Sequence, residues 1–261
     1  MTGKFIIISL LILVMTTSIS AKERYVYEAR ALVVAKATLV IDVEDVDLDG
    51  QKYKAITSNI SVRLLGKKLI DLDFQSLNVA DSFAPVKNIE CYLEKKRLSN
   101  PADKNCRSVH FLENGEYLYL NHRQTSTNLI GLRRDMPNVE EYNVLDIHQD
   151  FDKQNDRVFD LASIALLVKY LHLSAENPNK DLFVAVNKSV VKVRISYVKD
   201  IGRNKIWIKI TPLHPAPEFY KRPFPHKIVY DHKRKAVTQI HQKLPIVGNA
   251  VIKLSKKRSS F

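Results

Sequence analysis

Hydrophobic and polar positions alternate with a period of two along most of this chain. Over residues 36–44, Leu39, Ile41 and Val43 fall on one side and Thr38, Val40 and Asp42 on the other, as a half-buried strand requires. Residues 56–64 repeat the pattern, with Ile56, Ile60, Val62 and Leu64 against Thr57, Asn59, Ser61 and Arg63. The Asp49-Gly50 pair between them is a strong turn signal, so the two segments are predicted to form a hairpin. Further strands are predicted over 69–77, 86–93, 108–112, 116–122 and 129–133, two of them joined by Asn114-Gly115. Beyond residue 181 the alternation tightens: Val191, Val193, Ile195 and Tyr197 oppose Lys192, Arg194 and Ser196, then Ile206, Ile208 and Ile210 oppose Lys205, Trp207 and Lys209. The proline-rich stretch 212–225 cannot be a central strand, because proline removes ladder donors. Strands over 226–231, 236–241 and 250–254 are predicted to complete the chain.

One segment breaks the period. Asp160 precedes a run, residues 161–173, in which only Ser163, Lys169 and His172 are polar. This reads as a helix with an aspartate N-cap. Apolar on nearly every side, it must be covered on nearly every side. The expectation is therefore a mainly β protein, a strongly curved antiparallel sheet or incomplete barrel, with one buried helix lying in its concave face. The polar stretch 146–156 before the helix reads as a surface loop.

The first residues carry a different pattern: Lys4, an uncharged apolar run over 5–15, then small polar residues up to Ser20 and Ala21. This is the order of a cleavable secretory signal, cut near Ser20 or Ala21. The run is about half the roughly 20 residues that a bilayer-spanning helix needs. The expected organisation is a signal peptide over 1–21, one β-rich domain over 22–254 and a mobile basic tail over 255–261, with the protein exported to the periplasm.

Charge narrows the partners. The chain holds 41 Lys and Arg against 28 Asp and Glu, a net +13, and Lys4 is the one charge before Lys22. An exported protein with so positive a surface meets anionic envelope surfaces, whereas nucleic acid conflicts with export. Cys91 and Cys106 are the two cysteines, and in an oxidising compartment an even pair reads as a disulfide. It closes a loop of about 15 residues, worth on the order of 3 kcal/mol in the chain-entropy account.

Candidate chemistry is sparse. Asp45, Asp47, Asp49 and Gly50 match the opening of a calcium loop, but the twelfth position is Ile56 instead of a bidentate Glu, and strands flank it where helices belong. The hairpin tip is the plainer reading. Asp146, His148, Asp150 and Asp152 alternate as ligands on a strand face would, and a solvated loop has the same composition. No nucleophile elbow, Gly-rich phosphate loop, HExxH pair or Cys-His arrangement occurs, so no catalytic residue, metal site or cofactor is assigned.

Four stretches carry a resemblance to the uncharacterised exported bacterial family called domain of unknown function 3108. They are Tyr27-Glu28-Ala29 leading into Ala37-Thr38-Leu39-Val40, and Phe83-Ala84-Pro85 ahead of Cys91-Tyr92-Leu93-Glu94-Lys95-Lys96. The others are Asp160-Leu161-Ala162-Ser163 with its apolar helix, and Pro225-His226-Lys227-Ile228 followed by Pro245-Ile246-Val247-Gly248-Asn249-Ala250-Val251. The chain departs from the family in having residues 31–35 where glycines are usual, in its Cys pair and in extra residues 97–107. The resemblance implies an exported, largely antiparallel β fold with no assigned activity and no catalytic residues. Together these observations lead to the expectation of a non-enzymatic binding or envelope-maintenance protein that holds a lipid or other hydrophobic ligand in the concave face. The alternatives are a scaffold of envelope complexes, or a hydrolase of an envelope polymer using Asp146, His148 or Asp150.

Overall fold

A computed structural model describes residues 22–31, 35–93, 104–112, 117–124, 143–144, 150–152, 156–160, 163–186, 189–213, 225–244 and 248–260. The strands of the first half are β1 Lys22–Ala31, β2 Ala35–Leu48, β3 Gln51–Leu64, β4 Lys67–Val79, β5 Pro85–Leu93, β6 Lys104–Phe111, β7 Tyr117–Gln124 and the two-residue β8 Asn143–Val144. The second half adds β9 Val158–Asp160, β10 Asn179–Val186, β11 Ser189–Asp200, β12 Lys205–Pro212, β13 Pro225–Asp231, β14 Ala236–Leu244 and β15 Gly248–Leu254. All belong to one sheet of 15 strands, in the order β8-β7-β6-β5-β4-β3-β2-β1-β15-β14-β13-β12-β11-β10-β9. The expected mainly β, strongly curved and incompletely closed architecture is the observed one. The strand predicted over 129–133, the Asn114-Gly115 turn and most of the proline-rich stretch lie outside the described residues.

The β2–β3 hairpin turns at Asp49 and Gly50, both left-handed at φ 54° and 78°, the geometry that an Asp-Gly pair supplies. Leu48 then pairs with Gln51, and alternation places Ile41, Val43, Ile56 and Val62 in the main core. The same core receives Val191, Val193 and Ile195 from β11 and Ile206, Ile208 and Ile210 from β12. Both halves of the sheet thus turn their apolar faces inward.

The helix lies in that hollow but is shorter than predicted. The α-helix, α1, spans Ile164–Leu167 and tightens into a 3-10 turn over Val168–Tyr170; Leu161 and Ala162 lie outside the described residues. Ile164, Leu166, Leu167 and Val168 are all within 5% of complete burial. Asp160 closes β9 instead of standing at the helix boundary, yet its carboxylate still accepts the Ser163 backbone N–H at 2.9 Å. The N-cap position is Ser163, three residues later than expected, and its side chain makes no capping hydrogen bond.

This helix also explains a departure from an all-antiparallel sheet. β9 pairs parallel to β10, and parallel neighbours need a crossover of a dozen or more residues. Residues 161–178 are that crossover, and α1 carries it through the barrel interior.

The curled sheet meets itself through side chains. Asp160, on the edge strand β9, accepts hydrogen bonds from the Ser163 hydroxyl and, at 2.7 Å, from the Ser76 hydroxyl of β4. Asn78 of β4 donates to Ser163 Oγ at 3.1 Å and to the Phe83 carbonyl at 3.1 Å. All four polar residues, Ser76, Asn78, Asp160 and Ser163, are at most 1% exposed. A second apolar cluster joins Val109 of β6 and Tyr117 and Tyr119 of β7 to Val158, Phe183 and Val190 of β9, β10 and β11. Cys91 and Cys106 are direct cross-strand partners in β5 and β6 and form the disulfide, stapling the part of the sheet that overlaps β9.

The basic tail, over residues 255–260, lies against β1. After β15 the chain loops out through Lys256, Lys257 and Arg258, then rejoins β1, where Arg24 and Ser260 exchange backbone hydrogen bonds of 2.6 and 2.8 Å. Ser255 N–H donates to the Val26 carbonyl at 2.7 Å and Ser259 Oγ accepts from Val26 N–H at 2.9 Å. Charge density alone suggested a solvated end, but β1 offers an unpaired edge beyond Leu254, and the tail supplies the missing ladder.

Two outcomes follow. Asp160→Ala leaves two hydroxyls and a backbone N–H without their buried acceptor and is expected to cost on the order of 3 kcal/mol, read as a lowered urea midpoint with unchanged slope. Deleting residues 255–261 is expected to speed hydrogen exchange at the Arg24 and Val26 amides, while the amides of β1 that face β2 stay protected.

Candidate functional site

One end of the curled sheet gathers four segments: the start of β1, the 3-10 turn after α1, the β11–β12 turn and the β13–β14 turn. Strand register brings the two turns together, since Asp200 pairs with Ile206, Lys205 with Asp231 and Asp231 with Ala236. They are tied directly where His232 N–H donates to the Asn204 carbonyl at 2.7 Å. Gly202 takes φ 89° to make the first turn, a conformation an L side chain rarely adopts. In the second turn, Asp231 accepts the Arg234 N–H at 3.1 Å.

Between these segments lies a cavity of about 740 Å³. Its lining holds six basic side chains, Lys169, Arg203, Lys205, Lys233, Arg234 and Lys235, against two carboxylates, Glu23 and Asp231. Both carboxylates are already engaged. Glu23 accepts the Tyr25 hydroxyl at 2.7 Å and stands 3.9 Å from Lys169, while Asp231 pairs with Arg234 at 3.3 Å. Burial, and then the bond to Glu23, pushes the Tyr25 hydroxyl well above the usual tyrosine range, so it stays a neutral donor. Arg203, Lys205, Lys233 and Lys235 have no carboxylate partner among the described residues.

A second cavity of about 500 Å³ adjoins the first and shares Lys169 and Lys235 with it. Its remaining lining is mostly apolar, with Val168 and Leu173 on one side and Ile206, Ile208 and Tyr230 on the other. The short helix creates this space: the chain leaves helical geometry after Tyr170, and His172 turns left-handed at φ 47°. Ile206, Ile208 and Tyr230 border the recess while staying at most 6% exposed. Both volumes fall in the usual range of ligand sites, roughly 300–1,000 Å³.

The residues singled out from sequence lie elsewhere. Asp45 is paired with Lys54 at 2.7 Å, and Asp47 accepts the Gly50 N–H at 3.0 Å; these contacts belong to a hairpin. Asp146 and His148 lie outside the described residues, and Asp150 stands 3.7 Å from Lys192. Among the described residues no group of three His, Cys, Asp or Glu side chains is placed to hold a metal ion. Trp207 faces outward, with Lys227 Nζ 3.1 Å and Lys199 Nζ 4.8 Å from its ring centroid. Its ring is thus taken up by neighbouring strands. The basic triplet 233–235 was missed, although it falls between two strands correctly predicted from alternation, which marks it as a hairpin tip.

The class of protein these features define is a barrel-like β protein with an internal helix and a basic-rimmed cavity at one end. No family model matches the chain, and no curated protein does. Among solved structures it is similar to a beta-barrel-like protein of domain of unknown function DUF1849 from Brucella abortus. That likeness has 10% sequence identity and a TM-score of 0.49, covering 91% of this chain and 96% of the other. At that level it carries no argument about function. No helix among the described residues is long and apolar enough to cross a membrane.

Outside both cavities, His110 on β6 is 2% exposed and sits opposite the buried Lys87 of β5. Burial, reinforced by the Lys87 charge, pushes its pKa down to about 4. In the unfolded chain a histidine titrates near 6.5, so the unfolded state binds more protons between these values. Stability is then full above about pH 6.5 and is lost as pH falls toward 4, by up to about 3 kcal/mol. Thermal unfolding of the native chain and of His110→Gln across that window should show a falling midpoint for the first and a flatter profile for the second.

Proposed function

We propose that this is an exported, periplasmic, non-enzymatic binding protein that holds a lipid or other hydrophobic ligand at the open end of its interior, in the service of the cell envelope. The observation that carries this reading is the cavity of about 500 Å³ walled by Val168, Leu173, Ile206, Ile208 and Tyr230. An apolar recess next to a wet, charged mouth suits a ligand with a hydrophobic part. Its expected source is the anionic envelope surface, toward which a protein of net +13 is drawn. Export rests on the signal-like pattern before Lys22 and on the Cys91–Cys106 disulfide, which persists in oxidising compartments. Membership of the family called domain of unknown function 3108 is part of the same proposal.

The scaffold alternative has less to stand on. Among the described residues the end strands β8 and β9 are only two and three residues long, and the basic tail is held against β1 over residues 255–260.

Purified native protein is expected to yield extractable acyl material by mass spectrometry, and to enhance the fluorescence of the uncharged probe N-phenyl-1-naphthylamine. Leu173→Trp, which fills the recess, should weaken the probe by about tenfold, equivalent to about 1.4 kcal/mol, with far-ultraviolet circular dichroism unchanged. An unaltered affinity in that variant would remove the recess as the site.

A further inference from the structure

The basic cavity has chemistry of its own, separate from the apolar recess. Arg203 and Lys205 come from the β11–β12 turn, and Lys233 and Lys235 from the β13–β14 turn. The His232–Asn204 backbone bond fixes these turns against each other. Four cations without carboxylate partners among the described residues thus line one concavity. The fold does not disperse this charge. Three of the basic residues, Lys233, Arg234 and Lys235, are consecutive, and the Asp231 carboxylate that could neutralise the group is committed to Arg234.

We propose that this cavity is a binding site for a phosphate-type oxyanion, with Arg203, Lys205, Lys233 and Lys235 as its ligands. Charge and shape select the class. A phosphate monoester or diphosphate carries more than one negative charge and several oxygens pointing in different directions, so cations arriving from two turns can each meet one of them. A lone carboxylate would leave most of the four unmatched. The arginine offers a planar fork to two oxygens, and the lysines contribute point charges. Lys169 and Lys235 border both cavities, so a phosphate seated among the basic side chains can carry a hydrocarbon substituent into the recess. The phosphate site itself stands without that continuation; only the lipid form of the ligand rests on the function proposed above.

The two sources of the anion, free phosphate and a phosphorylated amphiphile, separate in calorimetric titrations of the native chain. The probes are inorganic pyrophosphate, dodecyl phosphate, dodecanol and dodecyltrimethylammonium, at about 20 mM and about 150 mM salt so that screening is controlled. Pyrophosphate is expected to bind, and dodecyl phosphate to bind at least about tenfold tighter than dodecanol. In the double variant Lys233→Ala/Lys235→Ala, both phosphate probes should weaken by about tenfold or more, while dodecanol is unchanged. Lys256→Ala/Lys257→Ala removes the same charge from the loop after β15 and should alter phosphate binding by less than about twofold. If the two double variants weaken phosphate equally, binding follows net charge alone and the site is overturned. If dodecanol and the ammonium compound bind as tightly as dodecyl phosphate, the phosphate site fails while the apolar recess stands. If pyrophosphate binds and the hydrocarbon adds nothing, the phosphate site stands and the lipid reading fails.

Discussion

Among the described residues the end strands β8 and β9 do not hydrogen-bond to one another, so the curl is held by side chains, above all by the buried contact between Asp160 and Ser76. The carboxylate takes hydrogen bonds from a hydroxyl on β4, a hydroxyl at the start of α1 and a backbone N–H. Burying such a group is costly unless its acceptors are filled, and in this arrangement they are. The requirement is geometric: β4, β9 and the helix must meet at one point, with Asn78 supplying the amide that satisfies Ser163 and the Phe83 carbonyl. The network fixes where the helix begins, and so where it ends.

From that fixed start the helix has only α1 and one 3-10 turn before the chain swings away at His172. Its early end leaves a recess beside Ile206, Ile208 and Tyr230, which stay at most 6% exposed, while the Phe83 ring lies tilted against Tyr170 at 5.3 Å and ties the turn to the β4–β5 loop. The cavity thus results from the crossover between parallel strands. Eighteen residues must bring the chain from β9 back to β10, and they cannot all be helical and still make the return.

The positive charge of the protein is arranged in two ways. Some lysines and arginines on the outward faces are matched, as with Arg194 on Asp181 at 2.7 Å and Arg258 on Glu28 at 2.8 Å, or lie over Trp207, while others stand in solvent without an ion pair among the described residues. Exposed pairs of this kind contribute little stability. At the cavity end the cations face one another with their carboxylates already taken. Their convergence on one concavity, more than the net charge, marks the end as a place for an anion.

Much of the fold was legible along the chain. The β2–β3 hairpin, the inward faces of β11 and β12, and a helix too apolar to lie on the surface follow from periodicity and from Asp-Gly turn chemistry, which are local properties. Asp160 was legible as the polar boundary before the helix, but it ends β9 and the N-cap position falls at Ser163. What alternation could not encode is which strand meets which: β1 lying beside β15, the tail extending β1, β9 running parallel to β10, and Ser76 reaching Asp160. These depend on contacts between residues far apart in sequence, where the free energy lies in burial that exists only once the sheet has curled. The candidate site belongs to the same category. Arg203, Lys205, Lys233 and Lys235 are ordinary hairpin residues in one dimension, and only the strand register of the curled sheet places them around a single cavity.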